Sequence, residues 1–368
     1  MAKELWKGNE AVAEAAIRAG CRFFFGYPIT PQNEIPEYFS RHLPEHGGCF
    51  LQAESEIAAI NMTYGAAGSG VRVMTSSSSP GISLKQEGIT YIAGAELPVV
   101  IVNMMRGGPG LGNIAPSQSD YFQATRGGGN GDYRTVVLAP STIQEAADLT
   151  QEAFDIADVY RIPVLVLADG LIGQMMEAIE WRSPKPRSLP PKDWATDGSR
   201  GKRGHNVVNS LYIETEDCTA LNRKLQQKHE LITKNEIRYE EFMTRDAEVL
   251  FVSYGTTARV AHAAVLKLRK DGVKAGLFRP ITLWPFPEAA LRACAQQTNV
   301  KAVVTAEMSM GQMLDDVKIA VNGAKPVRFV GTGGGTIPTP AELMDEAQKA
   351  IEEVWNHGRR IPALQRAN

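Results

Sequence analysis

Short apolar runs alternate with stretches of helical periodicity through the first part of the chain. Strands are predicted at 21–27, 49–52, 71–75, 98–104, 135–139 and 163–169, and helices at 10–19, 56–67, 83–93 and 143–157. Runs such as VVIVNM and VLVLAD place apolar residues at consecutive positions, so both faces of these strands are expected to be covered. That pattern belongs to a mostly parallel sheet between helices. The first α/β domain is expected to span 1–180. A second, 246–368, starts with EVLFVSYG and a helix that Thr256 or Thr257 can cap and that runs through Lys267. KAGLFRP, KAVVTAE and PVRFVG supply three more strands, and 341–355 reads as a closing amphipathic helix. The fold class expected is α/β, with two doubly wound, mostly parallel-sheet domains. Residues 181–245 differ: rich in Pro, Gly and charge, then polar and helix-compatible, they read as a connecting segment ordered by packing on a neighbour.

Composition narrows the partners. A chain of 368 residues with net charge −2 and scattered Lys and Arg offers no basic stripe for nucleic acid and no polybasic cluster for a membrane. The opening MAKELWKGNE lacks the apolar centre of a signal peptide, and no run approaches the ~20 apolar residues of a membrane span. A cytoplasmic location is expected. Cys21, Cys49, Cys218 and Cys294 lie far apart with no CxxC pair, so reduced packing cysteines are expected, and no metal site in this chain. His42 and His46 share a helical spacing, but Pro44 stands between them, which favours solvated surface positions.

Candidate chemistry concentrates in 53–81, AESEIAAINMTYGAAGSGVRVMTSSSSPG. Here Glu54 and Glu56 open a helix, and the following strand ends in Ser76, Ser77, Ser78, Ser79, Pro80 and Gly81. In open α/β sheets ligands sit at that edge. Ala66, Ala67, Gly68 and Gly70 are expected to let the helix approach a sheet closely. A buried carboxyl group at Glu56 can share a proton with a ring nitrogen. Low dielectric favours its protonated form, and the helix dipole favours the anion. The plain alternative is a pair of first-turn acids. In GYPITPQNEIP, Pro28 and Pro31 restrict the backbone around Ile29 and Thr30 and project the Thr30 hydroxyl; the alternative is a rigid turn capped by Thr30 or Gln32. In MRGGPGLGN, Arg106 follows an apolar strand and the glycines admit close backbone approach, which suits a carboxylate or phosphate, or else a structural turn. The loops at 126–132 (RGGGNGD) and 331–338 (GTGGGTIP) can each serve as subunit contacts. No Walker, GxGxxG or GxSxG signature is present, and Ala168-Asp169-Gly170 is not the start of a GDG…Asn diphosphate motif, having no Asn before Asn206.

Taken together, GYPITP, QAESEIAAINMTYGAA, SSPGISLKQEGITYIAGAELPVVIVNMMRGGPGLGN, QSDY and EMSMGQM resemble the alpha-type subunit of 2-oxoacid:ferredoxin oxidoreductases. The wording AESE, GISLKQEG and GPGLGN is most similar to the branched-chain, 2-oxoisovalerate type, with the 2-oxoglutarate type as the close alternative. The resemblance implies a pyrimidine-type domain of thiamine diphosphate enzymes followed by a transketolase-C-terminal-like domain. It implies that thiamine diphosphate is shared with a beta-type subunit that carries the Mg2+–diphosphate motif, and that 4Fe-4S clusters lie in partner chains. A gamma-type subunit, and a ferredoxin-like delta subunit in some complexes, would complete an assembly that converts a 2-oxoacid and coenzyme A to acyl-CoA, CO2 and reduced ferredoxin, reversibly in principle. Such low-potential, oxygen-sensitive chemistry implies an anaerobic host. By the same resemblance Glu56 activates the aminopyrimidine, Thr30 donates to the 2-oxoacid, Arg106 pairs with its carboxylate, and Pro28 and Ile29 contact the cofactor. Two rivals stand beside it: a non-catalytic scaffold subunit of such a complex, and a sulfur or thiamine-related transferase of the same architecture.

Overall fold

The computed structural model describes residues 3–199 and 201–364, with side-chain surroundings through residue 353. Its larger sheet has seven strands in the order Thr282–Trp284, Val136–Leu138, Pro163–Asp169, Val99–Met105, Val73–Ser77, Phe23–Gly26, Cys49–Gln52. All neighbours run parallel except Thr282–Trp284 against Val136–Leu138. The two unbroken apolar runs, Val99–Met105 and Pro163–Asp169, lie side by side at the centre and are buried at every position. Cys49–Gln52 forms the edge and is mostly exposed. The smaller sheet has five strands in the order Val327–Gly331, Ala302–Glu307, Val249–Val252, Ala275–Pro280, Tyr239–Phe242, with only the last antiparallel to its neighbour. Glu4–Lys7 and Met176–Ile179 form a separate antiparallel pair. Four strands are not predicted by the sequence pattern: Glu4–Lys7, Met176–Ile179, Thr282–Trp284 and Tyr239–Phe242. Thr282–Trp284 has three residues, too few for a periodic signal, and Tyr239–Phe242 (YEEF) is an exposed edge without apolar alternation.

Two local features move relative to the sequence pattern. The strand after the helix Glu56–Gly68 is Val73–Ser77 rather than 71–75, and the next helix, Ser79–Gly94, starts before residue 83. The serine-rich stretch is therefore a strand end and a helix start joined at Ser78. Pro80 fits this first turn because its missing N–H would have had no helical partner. The small residues at the end of Glu56–Gly68 admit the connecting segment as well as the sheet, against which Ala67 is buried. The Gly68 carbonyl accepts from the Thr196 N–H (2.9 Å), and a Cβ on Gly70 would lie 2.8 Å from that of Ala195.

The connecting segment is folded onto the first sheet's helices. Lys192 pairs with Asp158 (2.6 Å), Arg187 with Glu236 (2.6 Å), and Lys224 and Lys228 of the helix Thr215–Asn235 both pair with Glu96. Cys21 and Cys294 are buried, and burial pushes both thiols up to about 12. Cys49 and Cys218 are exposed, so packing does not account for them.

The QSDY segment joins the two sheets. The Gln118 side chain accepts from the Thr257 hydroxyl (2.6 Å) and the Met308 N–H (2.8 Å), and donates to the Tyr254 carbonyl (2.8 Å). Tyr121 donates to Asp316 at 2.5 Å, and Arg126 pairs with the same carboxylate. Asp169 accepts from the Thr256 hydroxyl at 2.8 Å and caps the helix Gly170–Gln174. The expected capping role of Thr256 and Thr257 is thus replaced by contacts across the seam, and Tyr254 occupies the cap position. Gln118→Ala strands three buried polar partners, each worth ~1–3 kcal/mol, so the full chain is expected to lose about 3 kcal/mol or more, read as a shift in denaturation midpoint.

Candidate functional site

The carboxyl ends of the parallel strands bring the three sequence-predicted residues to one edge of the larger sheet. Ser55 caps the helix Glu56–Gly68, its hydroxyl accepting from the Ala58 N–H at 3.1 Å, so Glu56 is the first helical residue and Glu54 lies outside. Their environments diverge: Glu54 is exposed, and Glu56 keeps 6% of its surface. Among the described residues no donor hydrogen-bonds the Glu56 carboxylate. It faces Gly81, where an added Cβ would sit 2.6 Å from Glu56 Oε1 and 2.0 Å from Ser77 Oγ. The Ser77 and Ser78 hydroxyls are buried without a partner among the described residues. A buried carboxylate and hydroxyls left unsatisfied around a cradle that only glycine leaves open fit a polar heterocycle, because such groups are otherwise costly to bury.

Thr30 and Arg106 meet across the strand ends. Arg106 follows Val99–Met105, is nearly buried, and donates through its guanidinium to the Thr30 carbonyl (2.9 Å) and the Leu111 carbonyl (3.1 Å). Its Nε is buried and has no partner among the described residues, so one edge of the fork is free for an acceptor. The Thr30 side chain is exposed beside it, while Pro31 is pinned by Asn9 and Gln174, each donating to its carbonyl at 2.8 Å. Pro28 is exposed and Ile29 half-buried on the same turn. Gln32 is no cap: it is buried and accepts from the Ser76 hydroxyl at 2.5 Å, tying the turn to the neighbouring strand end.

Asp120 backs Arg106. It accepts from Ser79 Oγ (2.5 Å) and Asn103 Nδ2 (2.9 Å), and Ser79 Oγ accepts from the Arg106 N–H at 3.0 Å. Burial pushes the Asp120 carboxyl up, opposed by these two donors and by the Arg106 charge. A cavity of about 430 Å3 opens between Ser79, Asp120 and the Gly108–Gly110 turn on one side and Met310 and Gly333 on the other. The glycine loops touch within the chain. Asn113 donates to the Gly334 carbonyl (2.8 Å), and Thr90 to the Asn130 carbonyl (2.6 Å). A larger cavity, about 570 Å3, lies elsewhere, where Arg279 and Arg259 are already paired with Glu145, Glu240 and Glu177.

Residues 14–250 match the family described as pyruvate flavodoxin/ferredoxin oxidoreductase, thiamine diP-bdg, and residues 247–343 match pyruvate:ferredoxin oxidoreductase core domain II. The chain belongs to the 2-oxoacid:ferredoxin oxidoreductases. Among curated members of this oxidoreductase family, the ketoisovalerate oxidoreductase subunit VorB of Methanothermobacter marburgensis is 49% identical over 96% of this chain and 98% of its own. The 2-oxoglutarate synthase subunit KorA of Methanothermobacter thermautotrophicus is 39% identical over 92% and 96%. The solved 2-oxoglutarate:ferredoxin oxidoreductase from Magnetococcus marinus superposes with a TM-score of 0.81 at 27% identity, covering 95% of this chain and 65% of that one. A split-gene transketolase shares the fold, with a TM-score of 0.58 at 17% identity over 94% and 98%. The α/β class and the thiamine diphosphate-binding domain expected from the sequence are those of this family. No helix among the described residues is long and apolar enough to cross a membrane.

Three residues of this 2-oxoacid oxidoreductase chain have a role at the site that the sequence alone does not give. Asp120 was hidden inside QSDY and Gln32 was read as a cap. Lys85 sits in SPGISLKQEGITYIAG, where a lone cation on a face of Gly and Ile was the available signal.

Proposed function

We propose that this chain is the alpha-type subunit of a thiamine diphosphate-dependent oxidoreductase that decarboxylates a branched-chain 2-oxoacid with coenzyme A, giving acyl-CoA, CO2 and reduced ferredoxin. The observation that carries the chemistry is the buried Glu56 carboxylate, without a donor, facing the open cradle at Gly81. Identity of 49% to a ketoisovalerate oxidoreductase subunit, against 39% to a 2-oxoglutarate synthase subunit, supports the branched-chain substrate. Thiamine diphosphate, when bound, supplies the carbon that attacks the oxo group and the sink for the electrons left by CO2. Glu56 holds a proton at the cofactor's ring nitrogen. Arg106 turns its free edge to the substrate carboxylate, the Thr30 hydroxyl donates to the substrate, and Pro28 and Ile29 bound the cofactor side of the turn. Asp169, taken up by Thr256 and a helix start, leaves the Mg2+–diphosphate contacts to a beta-type partner. The 4Fe-4S clusters, in partner subunits, pass the electrons singly. In this reading 1–180 is the pyrimidine-type domain, 181–245 the connection and 246–368 the transketolase-C-terminal-like domain, working in the cytoplasm.

The test is anaerobic purification of the complex through the tagged chain, followed by coenzyme A-dependent dye reduction. Highest kcat/KM is expected with 2-oxoisovalerate. Preference for 2-oxoglutarate would replace the substrate assignment. An inactive assembly that gains nothing from added thiamine diphosphate would overturn the proposal.

A further inference from the structure

Lys85 is a fully buried cation that the reaction as proposed above does not use. It stands one turn after Gly81 on the helix Ser79–Gly94, and helical side chains lean toward the N-terminus, here toward the Glu56 cradle. Its ammonium donates to Thr75 Oγ1 (2.5 Å) and to the Ser76 carbonyl (3.1 Å), at the end of Val73–Ser77. The Thr75 hydroxyl in turn donates to the Phe25 carbonyl at 2.6 Å, so its lone pairs are aimed at Lys85. The two helices that carry Lys85 and Glu56 are pressed together: a Cβ on Gly88 would lie 2.5 Å from the Ile60 side chain.

Among the described residues Glu56 is the one charged group that acts on Lys85. The surrounding strands Phe23–Gly26, Val73–Ser77 and Val99–Met105 carry no ionisable side chain. On Lys85's own helix, Tyr91 donates to Glu87 at 2.7 Å in an exposed pair. Asp120 and Arg106 are joined through Ser79. A buried ammonium with two neutral acceptors and one carboxylate nearby is expensive to fold, and an apolar residue would pack there at lower cost.

We propose that Lys85 is a positioning residue that orients Glu56 at the cofactor. The proposal rests on the role given to Glu56 above. Burial pushes the Lys85 ammonium down to about 7, with the Glu56 charge pulling the other way. The positive charge is therefore present below that pH and lost above it. While it is present it attracts the Glu56 side chain. Its loss removes that attraction and gives activity an alkaline limb near neutrality.

Lys85→Met keeps an unbranched side chain and deletes the charge. In the purified complex, the alkaline limb of kcat/KM is expected to vanish or move by about one pH unit or more, with a loss of about 10-fold or more at the optimum. Thiamine diphosphate affinity, read by quenching of tryptophan fluorescence, is expected to lose its change over the same pH window. Thr75→Val provides a second variant if Lys85→Met does not assemble: removing an acceptor of the ammonium shifts the limb to lower pH. Profiles of activity and affinity that superpose on the unmodified complex in either folded variant overturn the proposal. Glu56→Gln separates the two levels of argument. Near-normal activity in that variant removes the reading of Glu56, whereas its inactivity beside an unchanged Lys85→Met profile removes only the role of Lys85.

Discussion

Glu56→Gln is expected to lower the turnover of the intact complex by ~100-fold or more, the range for losing a positioned proton-transfer group. A factor of that size corresponds to ~2.7 kcal/mol of barrier. The carboxamide has nearly the same shape, so packing is preserved. It removes a group for which the described residues provide no donor and leaves Lys85 to fold as the neutral amine that burial favours, so the variant is expected to stay folded. Turnover and melting therefore move independently: a catalytic role lowers the first and spares the second. Activity within a fewfold of normal would make this chain a scaffold for its partner.

Arg106→Ala is expected to reduce kcat/KM for the 2-oxoacid by ~100- to 1,000-fold, because a buried charge-assisted fork loses ~3–5 kcal/mol when one partner is removed. The same guanidinium braces the Thr30 carbonyl and the Leu111 carbonyl, so the turn that presents Thr30 loosens as well. Arg106→Lys separates the effects. It retains the charge but cannot hold both carbonyls and still offer a free edge, so it is expected to recover only part of the loss. Steady-state kinetics on both variants measures the split, and equal kcat/KM in all three proteins would exclude Arg106 from the substrate site.

Much of this site was legible because it lies at strand ends and helix starts, where local sequence and topology agree. VVIVNM announces a central strand, and Arg106 has to follow it; the helical spacing from Glu56 announces a helix start, which the structure caps with Ser55. What could not be read depends on contacts between segments distant in the chain. Gln32 has the composition of a cap and becomes a strut to Ser76, and Thr256 and Thr257 turn from caps into seam contacts. Glu54 and Glu56 look equivalent in sequence. Glu56 is the first helical residue and is buried, Glu54 precedes the cap and is exposed, and the position of Ser55 between them decides which. The short strand Thr282–Trp284 carries no periodicity, and its place is defined by Val136–Leu138.

That strand also bears on how the chain is made. Until Trp284 has left the ribosome, the edge at Val136–Leu138 has no neighbour, and an open apolar edge invites pairing with another nascent chain. The larger sheet is therefore finished by a piece of polypeptide synthesised after most of the second sheet's first strands. A gene split between the two sheets would leave the first fragment with an unsealed margin, and joining them in one reading frame supplies the seal in cis.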